Sequence, residues 1–116
     1  MVSEAACRFT VPCCPSTNNL FRNVTGKGRV RTEHYKRWIE DAGWLVRSQA
    51  SARPVSGRVR MLIEGPMKID LDNIKPIPDL AKKLGLIEDD ALIDDLRIVR
   101  KGSKGDQVTV SIWPIA

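Results

Sequence analysis

A chain of 116 residues, 42% hydrophobic and 28% charged, has the balance of one globular domain spanning residues 1–116, and excludes a disordered or fibrous protein. No apolar run approaches the ~20 residues that cross a bilayer, and Met1–Phe9 carries Glu4 and Arg8 where a signal peptide would be apolar. The expected setting is therefore cytoplasmic, with Cys7, Cys13 and Cys14 as reduced thiols rather than a disulfide framework.

The net charge of +5 is unevenly spread: residues 1–64 hold eleven basic and five acidic side chains, whereas residues 65–116 hold eight and nine. A basic half points to a polyanion such as nucleic acid. An acidic cluster beside it would repel phosphate unless a divalent cation stood between them.

In chain order, Cys7, Phe9 and Val11 alternate with polar neighbours and predict a strand, ended by the breaker-rich stretch Pro12–Asn19. Arg22, Lys27, Arg29 and Arg31 around Gly26 and Gly28 predict a basic hairpin or mobile loop. Thr32 suits an N-cap, and Glu33 the positive end of a helix dipole. Tyr35, Trp38, Ile39, Ala42, Leu45, Val46 and Gln49 then fall on one stripe, which predicts an amphipathic helix over residues 33–50. Trp44 lies ~180° from that stripe, a position for packing under a neighbouring element or for a subunit interface. Gly43 beside it weakens the helix by ~1 kcal/mol, which close approach of another backbone would explain.

Arg58–Glu64 alternates as a strand with one basic side, carrying Arg58 and Arg60. After Gly65-Pro66 comes the acidic segment, then a short helix ending near Lys83-Leu84-Gly85, with Gly85 suited to the left-handed C′ position. Leu96–Lys101 and Gln107–Trp113 predict two final strands. The order β, basic loop, α, β, α, β, β predicts an α+β fold, a mixed sheet of about four strands with two helices packed on it.

The chemistry centres on Asp70-Leu71-Asp72-Asn73. Two aspartates two apart on extended backbone point to the same side and can hold one hard cation such as Mg²⁺ through oxygen. Lys75 is within helical reach of Asp72, where it can neutralise phosphate or orient an attacking water. The second acidic group, Glu88-Asp89-Asp90, followed by Asp94-Asp95, can supply a further ligand. D-x-D alone also occurs in phosphatases and glycosyltransferases, but the first place it on a buried apolar strand and the second need longer chains. A calcium loop wants D-x-D-x-D-G, and Asn73-Ile74-Lys75 follows Asp72 instead. With His34 and Tyr35 each the only residue of its kind, two-histidine nucleases are excluded and a tyrosine nucleophile is disfavoured.

The run D-L-D-N, then Lys75-Pro76, then Glu88-Asp89-Asp90-Ala91, resembles the RusA family of Holliday junction resolvases. Pro12, Pro15-Ser16 and Asn18-Asn19 resemble that family's P-x-P-S-x-N opening loop, and the likeness spans roughly residues 8–113. The resemblance implies a homodimer that nicks a four-way DNA junction symmetrically with Mg²⁺, or Mn²⁺ in its place, and proteins of this kind are often encoded by phages and prophages. By position, the metal-binding and catalytic carboxylates fall on Asp70, Asp72 and Asp90, with Asp89 as the alternative third acid, and the essential lysine on Lys75. Only Ile74 separates Asn73 from Lys75 where the family has two residues, a shift that turns a helical side chain by ~100°. Asn19, Arg22, Arg29, Arg31, Lys36, Lys68 and Asn73 are the candidates for DNA contacts, Asn73 equally for a helix cap. The competing readings are a non-catalytic binder of branched DNA and, behind it, a hydrolase of small phosphorylated molecules.

Overall fold

The computed structural model describes residues 4–14, 21–66, 74–101 and 106–115. Strand β1 covers Cys7–Pro12, and β2 (Phe21–Val24) and β3 (Gly28–Arg31) follow as a hairpin. Helix α1 spans Glu33–Arg47, β4 Val59–Gly65 and α2 Pro76–Lys83. A 3₁₀ turn at Asp90–Leu92 leads into β5 (Ile93–Arg100), and β6 (Gln107–Pro114) closes the order.

The result is the expected α+β fold, with a mixed four-stranded sheet in the order β1-β6-β4-β5. Neighbours β1–β6 and β6–β4 are antiparallel, whereas β4 and β5 run parallel, joined through α2. Parallel neighbours require such a crossover connection. The core face carries Cys7, Phe9 and Val11 from β1, Val108, Val110 and Ile112 from β6, and Val59, Met61 and Ile63 from β4, all buried. Tyr35, Trp38, Ala42 and Val46 of α1 and Ile77, Leu80 and Ala81 of α2 complete the core.

The basic segment takes the hairpin form, one of the two expected for it, and makes a two-stranded sheet of its own beside the expected four-stranded one. Its turn is closed by the Lys27 N–H donating to Val24 O at 3.0 Å, with Gly26 at φ +81°, a conformation open to glycine at little steric cost. Thr32 caps α1 as expected, its hydroxyl accepting from the Tyr35 N–H at 3.2 Å. The helix stops at Arg47 rather than at residue 50, because Gln49 is drawn to the β1 edge. There its side-chain amide accepts from Thr10 N–H and donates to Thr10 O, each at 2.8 Å. Leu45 is 44% exposed; it lies ~80° from the centre of the stripe, at the rim of the buried face. Gly43 is buried under a side chain rather than a backbone, since a Cβ there would meet Leu84 Cδ2 at 3.6 Å. Gly85, at φ +76°, follows the Leu84 C-cap of α2 as expected.

The expected basic side of β4 has partners within the fold. Arg58 pairs with Asp94 at 2.6 Å, and the Arg60 guanidinium stacks 5.0 Å from the Trp113 ring centre. Glu64 on the same strand pairs with Lys101.

Candidate active site

The sheet ends at β5, and α2 does not cover that strand completely. Met61 and Ile63 of β4 register with Leu96 and Ile98 of β5, so Leu96 and Ile98 continue the core face. Yet Leu96 remains 45% exposed. The space between is a cavity of about 410 Å³, walled by Ile74, Ile93, Leu96 and Ile98 and carrying Lys75, Asp79 and Asp90 on its polar side.

Each polar residue has a local reason for its place. Lys75 is the N-cap residue of α2 and already has helical backbone angles (φ −49°, ψ −38°). Pro76 at the first helical position gives up an N–H that a helix leaves unbonded anyway. Asp79 lies one turn further along, on the same helix face as Lys75. Asp90 opens the 3₁₀ turn before β5.

The other acids of the second cluster have structural duties. Glu88 accepts from the Gly57 N–H at 2.6 Å. Asp89 caps the 3₁₀ turn by accepting from the Ala91 N–H at 3.3 Å and pairs with Lys82 at 3.3 Å. Hydrogen bonding with the Asp90 carboxyl, then with Ala91 N–H and Lys82, holds the Asp89 carboxyl below its ordinary range. Asp94 is occupied by Arg58, and Asp95 registers with Arg60 on the opposite sheet face. Of these five acids, Asp90 alone lines the cavity.

The structure therefore brings together two residues singled out from sequence, Lys75 and Asp90, and adds Asp79, which the sequence reading passed over. The available signal was its spacing four residues after Lys75 on a short helix. Asn19, Lys68, Asp70, Asp72 and Asn73 lie outside the described residues; α2 begins only a few residues after Asp72. Arg22 and Arg29 sit in the hairpin strands, registered opposite Val30 and Asn23. Arg31 and Lys36 are not at the cavity; they line a groove between α1 and α2. Tyr35 links the two places: burial and then the charge of Asp79 push its hydroxyl pKa up, and Arg31 opposes them. The Arg31 guanidinium stands 5.7 Å from the Tyr35 ring centre.

Among the described residues, no group of three or more acidic, histidine or cysteine side chains is arranged to hold a metal ion. Asp79 and Asp90 are hard oxygen donors, the ligand class that Mg²⁺ takes. None of the three cysteines or the histidine is at the cavity. Also among the described residues, no helix is long and apolar enough to cross a membrane.

Comparison with known proteins adds an independent finding. A family model described as Endodeoxyribonuclease RusA matches residues 11–113, nearly the whole chain. No curated protein matches the chain.

Proposed function

The chain belongs to the RusA family of endodeoxyribonucleases, and from that premise we propose that it is a Mg²⁺-dependent resolvase, cutting four-way DNA junctions by paired, symmetric nicks. The observation that carries the reading is the meeting of Lys75 and Asp90 in one cavity, with Asp79 beside them. Family membership supports a nuclease on branched DNA, and the hard oxygen donors of the cavity suit the ion.

In this reading Asp90 shares the cation with Asp70 and Asp72. Such an ion, Mg²⁺ or Mn²⁺ in its place, would supply positive charge at the phosphate and a more acidic water. Lys75 places a second positive charge at the phosphate and withdraws electron density from its non-bridging oxygens. Asp79, one turn along α2 on the same face, also lines the cavity, where its charge would draw the Lys75 ammonium towards the phosphate. The apolar wall of Ile93, Leu96 and Ile98 lowers the local dielectric, which strengthens each of these charge interactions. Symmetric nicking of a two-fold junction calls for a two-fold pair of sites, hence a homodimer.

The test is nicking of a synthetic four-way junction, a linear duplex and a single strand, with Mg²⁺ and with EDTA. Junction cutting that needs Mg²⁺ and disappears in Asp72→Asn, while binding survives, is the expected result. Tight binding without cutting in either Mg²⁺ or Mn²⁺ would make the chain a non-catalytic junction binder.

A further inference from the structure

Helices α1 and α2 leave between them a groove of about 340 Å³. Arg31, Lys36, Trp44, Arg47 and Lys83 line it, with Glu40 as the single acid. We propose that this groove is a second DNA contact, in which the cations hold backbone phosphates and Trp44 stacks on a base face exposed at the branch point. The proposal rests on the nuclease reading in one respect: the strand it holds is the one that the cavity cuts.

Three observations converge on a nucleic-acid occupant. First, the charge is unbalanced. Lys36 shares its charge with Glu33 at 3.5 Å, but among the described residues Arg47 and Lys83 have no ion-pair partner. Cations gathered without neutralising acids repel one another unless a polyanion is present. Second, Trp44 is 68% exposed amid those cations. An indole beside a basic track is the combination used to hold single strands, where base stacking adds to phosphate contacts. Third, the groove and the cavity share α2: Leu80, Lys83 and Leu84 line the groove, and Lys75, Pro78 and Asp79 line the cavity. A helix is only ~10 Å across with its side chains. The cut and the groove therefore lie within a few nucleotides of one another along one strand.

A second copy of the chain is a poorer occupant. A two-fold interface sets the same patch against itself, so the cations would face their own copies. Subunit interface cores are depleted of charge, not rich in it.

The test is equilibrium binding of the full chain to a synthetic four-way junction in EDTA, at several salt concentrations, with sedimentation as a parallel readout. For the Arg47→Gln/Lys83→Gln double variant we expect about tenfold weaker binding. The slope of log K against log salt should fall by about 1.4 to 1.8, the value for two lost phosphate contacts. Trp44→Ala should weaken binding about tenfold and Trp44→Phe by less than about threefold, since phenylalanine retains a stacking face. Sedimentation should be unchanged in every variant. Affinities and slopes equal to wild type would overturn the proposal while leaving the nuclease reading intact. Dissociation of an oligomer by Trp44→Ala would overturn it in favour of a subunit interface. If the wild type binds no junction, the nuclease reading and the groove fall together.

Discussion

The side-chain amide of Gln49 accepts from the Thr10 N–H and donates to the Thr10 carbonyl, both at 2.8 Å, and so occupies the free edge of β1 as a neighbouring strand would. Ser51 extends the pairing, its carbonyl accepting from Arg8 N–H at 2.8 Å and its hydroxyl donating to Arg8 O at 2.6 Å. Trp38 adds a bond from its indole N–H to Pro12 O at 3.0 Å. An open strand edge is a template for aggregation, and here the start of the α1–β4 connection closes it. Each hydrogen bond contributes ~1 kcal/mol net. Gln49→Ala should therefore cost about 2 kcal/mol, a fall in Tm of about 10 °C for a domain of this size. Calorimetry or urea unfolding measures this, and Gln49→Glu should be nearly as damaging, because a carboxylate cannot donate to Thr10 O. An unchanged midpoint would show that water replaces the amide without loss.

Gly43 gives the opposite sign. It lies within α1 with an ordinary contact distance of 3.6 Å from a notional Cβ to Leu84 Cδ2, and glycine costs a helix interior ~1 kcal/mol relative to alanine. Gly43→Ala should raise stability by about 0.5–1 kcal/mol, read as a higher urea midpoint at constant m. A decrease would mean that α1 and α2 cannot accept one methyl between them.

The two neighbouring aspartates should separate in function. Asp90→Asn should reduce junction cleavage by at least about 100-fold, in line with losing one preorganised charge at a reacting phosphate. Asp89→Ala should leave the cleavage rate within about threefold but lower Tm by a few degrees, through loss of the Ala91 and Lys82 contacts. The Asp89 carboxyl is held below its ordinary pKa of 3.8, first by its hydrogen bond with Asp90. Its stabilising effect is thus present above that pH and lost as pH falls through the depressed value. The Tm difference between wild type and Asp89→Ala should disappear in strong acid. If Asp89→Ala abolishes cleavage and Asp90→Asn does not, the assignment is reversed.

Much of this arrangement is legible in the sequence, and what is not has identifiable causes. Periodicity of 2 exposed the inward faces of β1, β4 and β6, and the 3.6-residue stripe exposed α1 with its Thr32 cap. Periodicity cannot show that Gln49, on the same stripe, leaves the helix to bond a strand 39 positions away in sequence, since that depends on where β1 ends up. Edge strand β5 is predicted from Leu96 but begins at Ile93; the charged pair Asp94-Asp95 does not read as strand in the sequence, and only the fold places Arg58 beside Asp94. Lys75 and Asp90 were readable because the D-L-D-N and E-D-D-A motifs carry them. Asp79 was not, because no motif element marks it and only the helical phase set by Pro76 turns it to the Lys75 face. Arg47, Lys83 and Trp44 lie on two helices, and only packing makes a groove of them.

The cysteine pair predicts a response to alkali. Burial raises the Cys14 thiol from its ordinary value of 9.0 to about 11, partly offset by a backbone hydrogen bond, with the neighbouring Cys13 charge adding to the rise. Between those values the folded chain keeps the thiol protonated while the unfolded chain ionises. Stability that is whole below pH 9 is therefore lost as pH rises towards 11, by up to ~1.4 kcal/mol per pH unit. Cys14→Ala should flatten the urea midpoint between pH 9 and pH 11 relative to wild type, whatever its effect at pH 7. Cys14 should also react slowly with thiol reagents at pH 8, because the thiolate is the nucleophile. Parallel midpoint curves for the two proteins would place the Cys14 thiol in contact with water.

Lys75 is the residue on which the chemistry can be tested most directly, because it sits one residue short of the family spacing and yet lines the cavity with Asp79 and Asp90. If it acts on the phosphate in the transition state, Lys75→Ala should lower kcat by about 100- to 1,000-fold, the scale of removing one such donor. Binding to the junction in EDTA should weaken only slightly, with the salt slope falling by about 0.9, since a single phosphate contact is lost. Lys75→Arg, which keeps the charge on a planar head of different reach, should recover part of kcat. Asp79→Asn should have a smaller effect than Lys75→Ala, because in this arrangement it positions the ammonium and does not touch the phosphate. Combining Asp79→Asn with Lys75→Ala should then add almost nothing to the loss from Lys75→Ala alone, as expected of residues acting through one group. Additive losses would instead give Asp79 a separate task at the reacting phosphate, that of a further oxygen ligand to the cation.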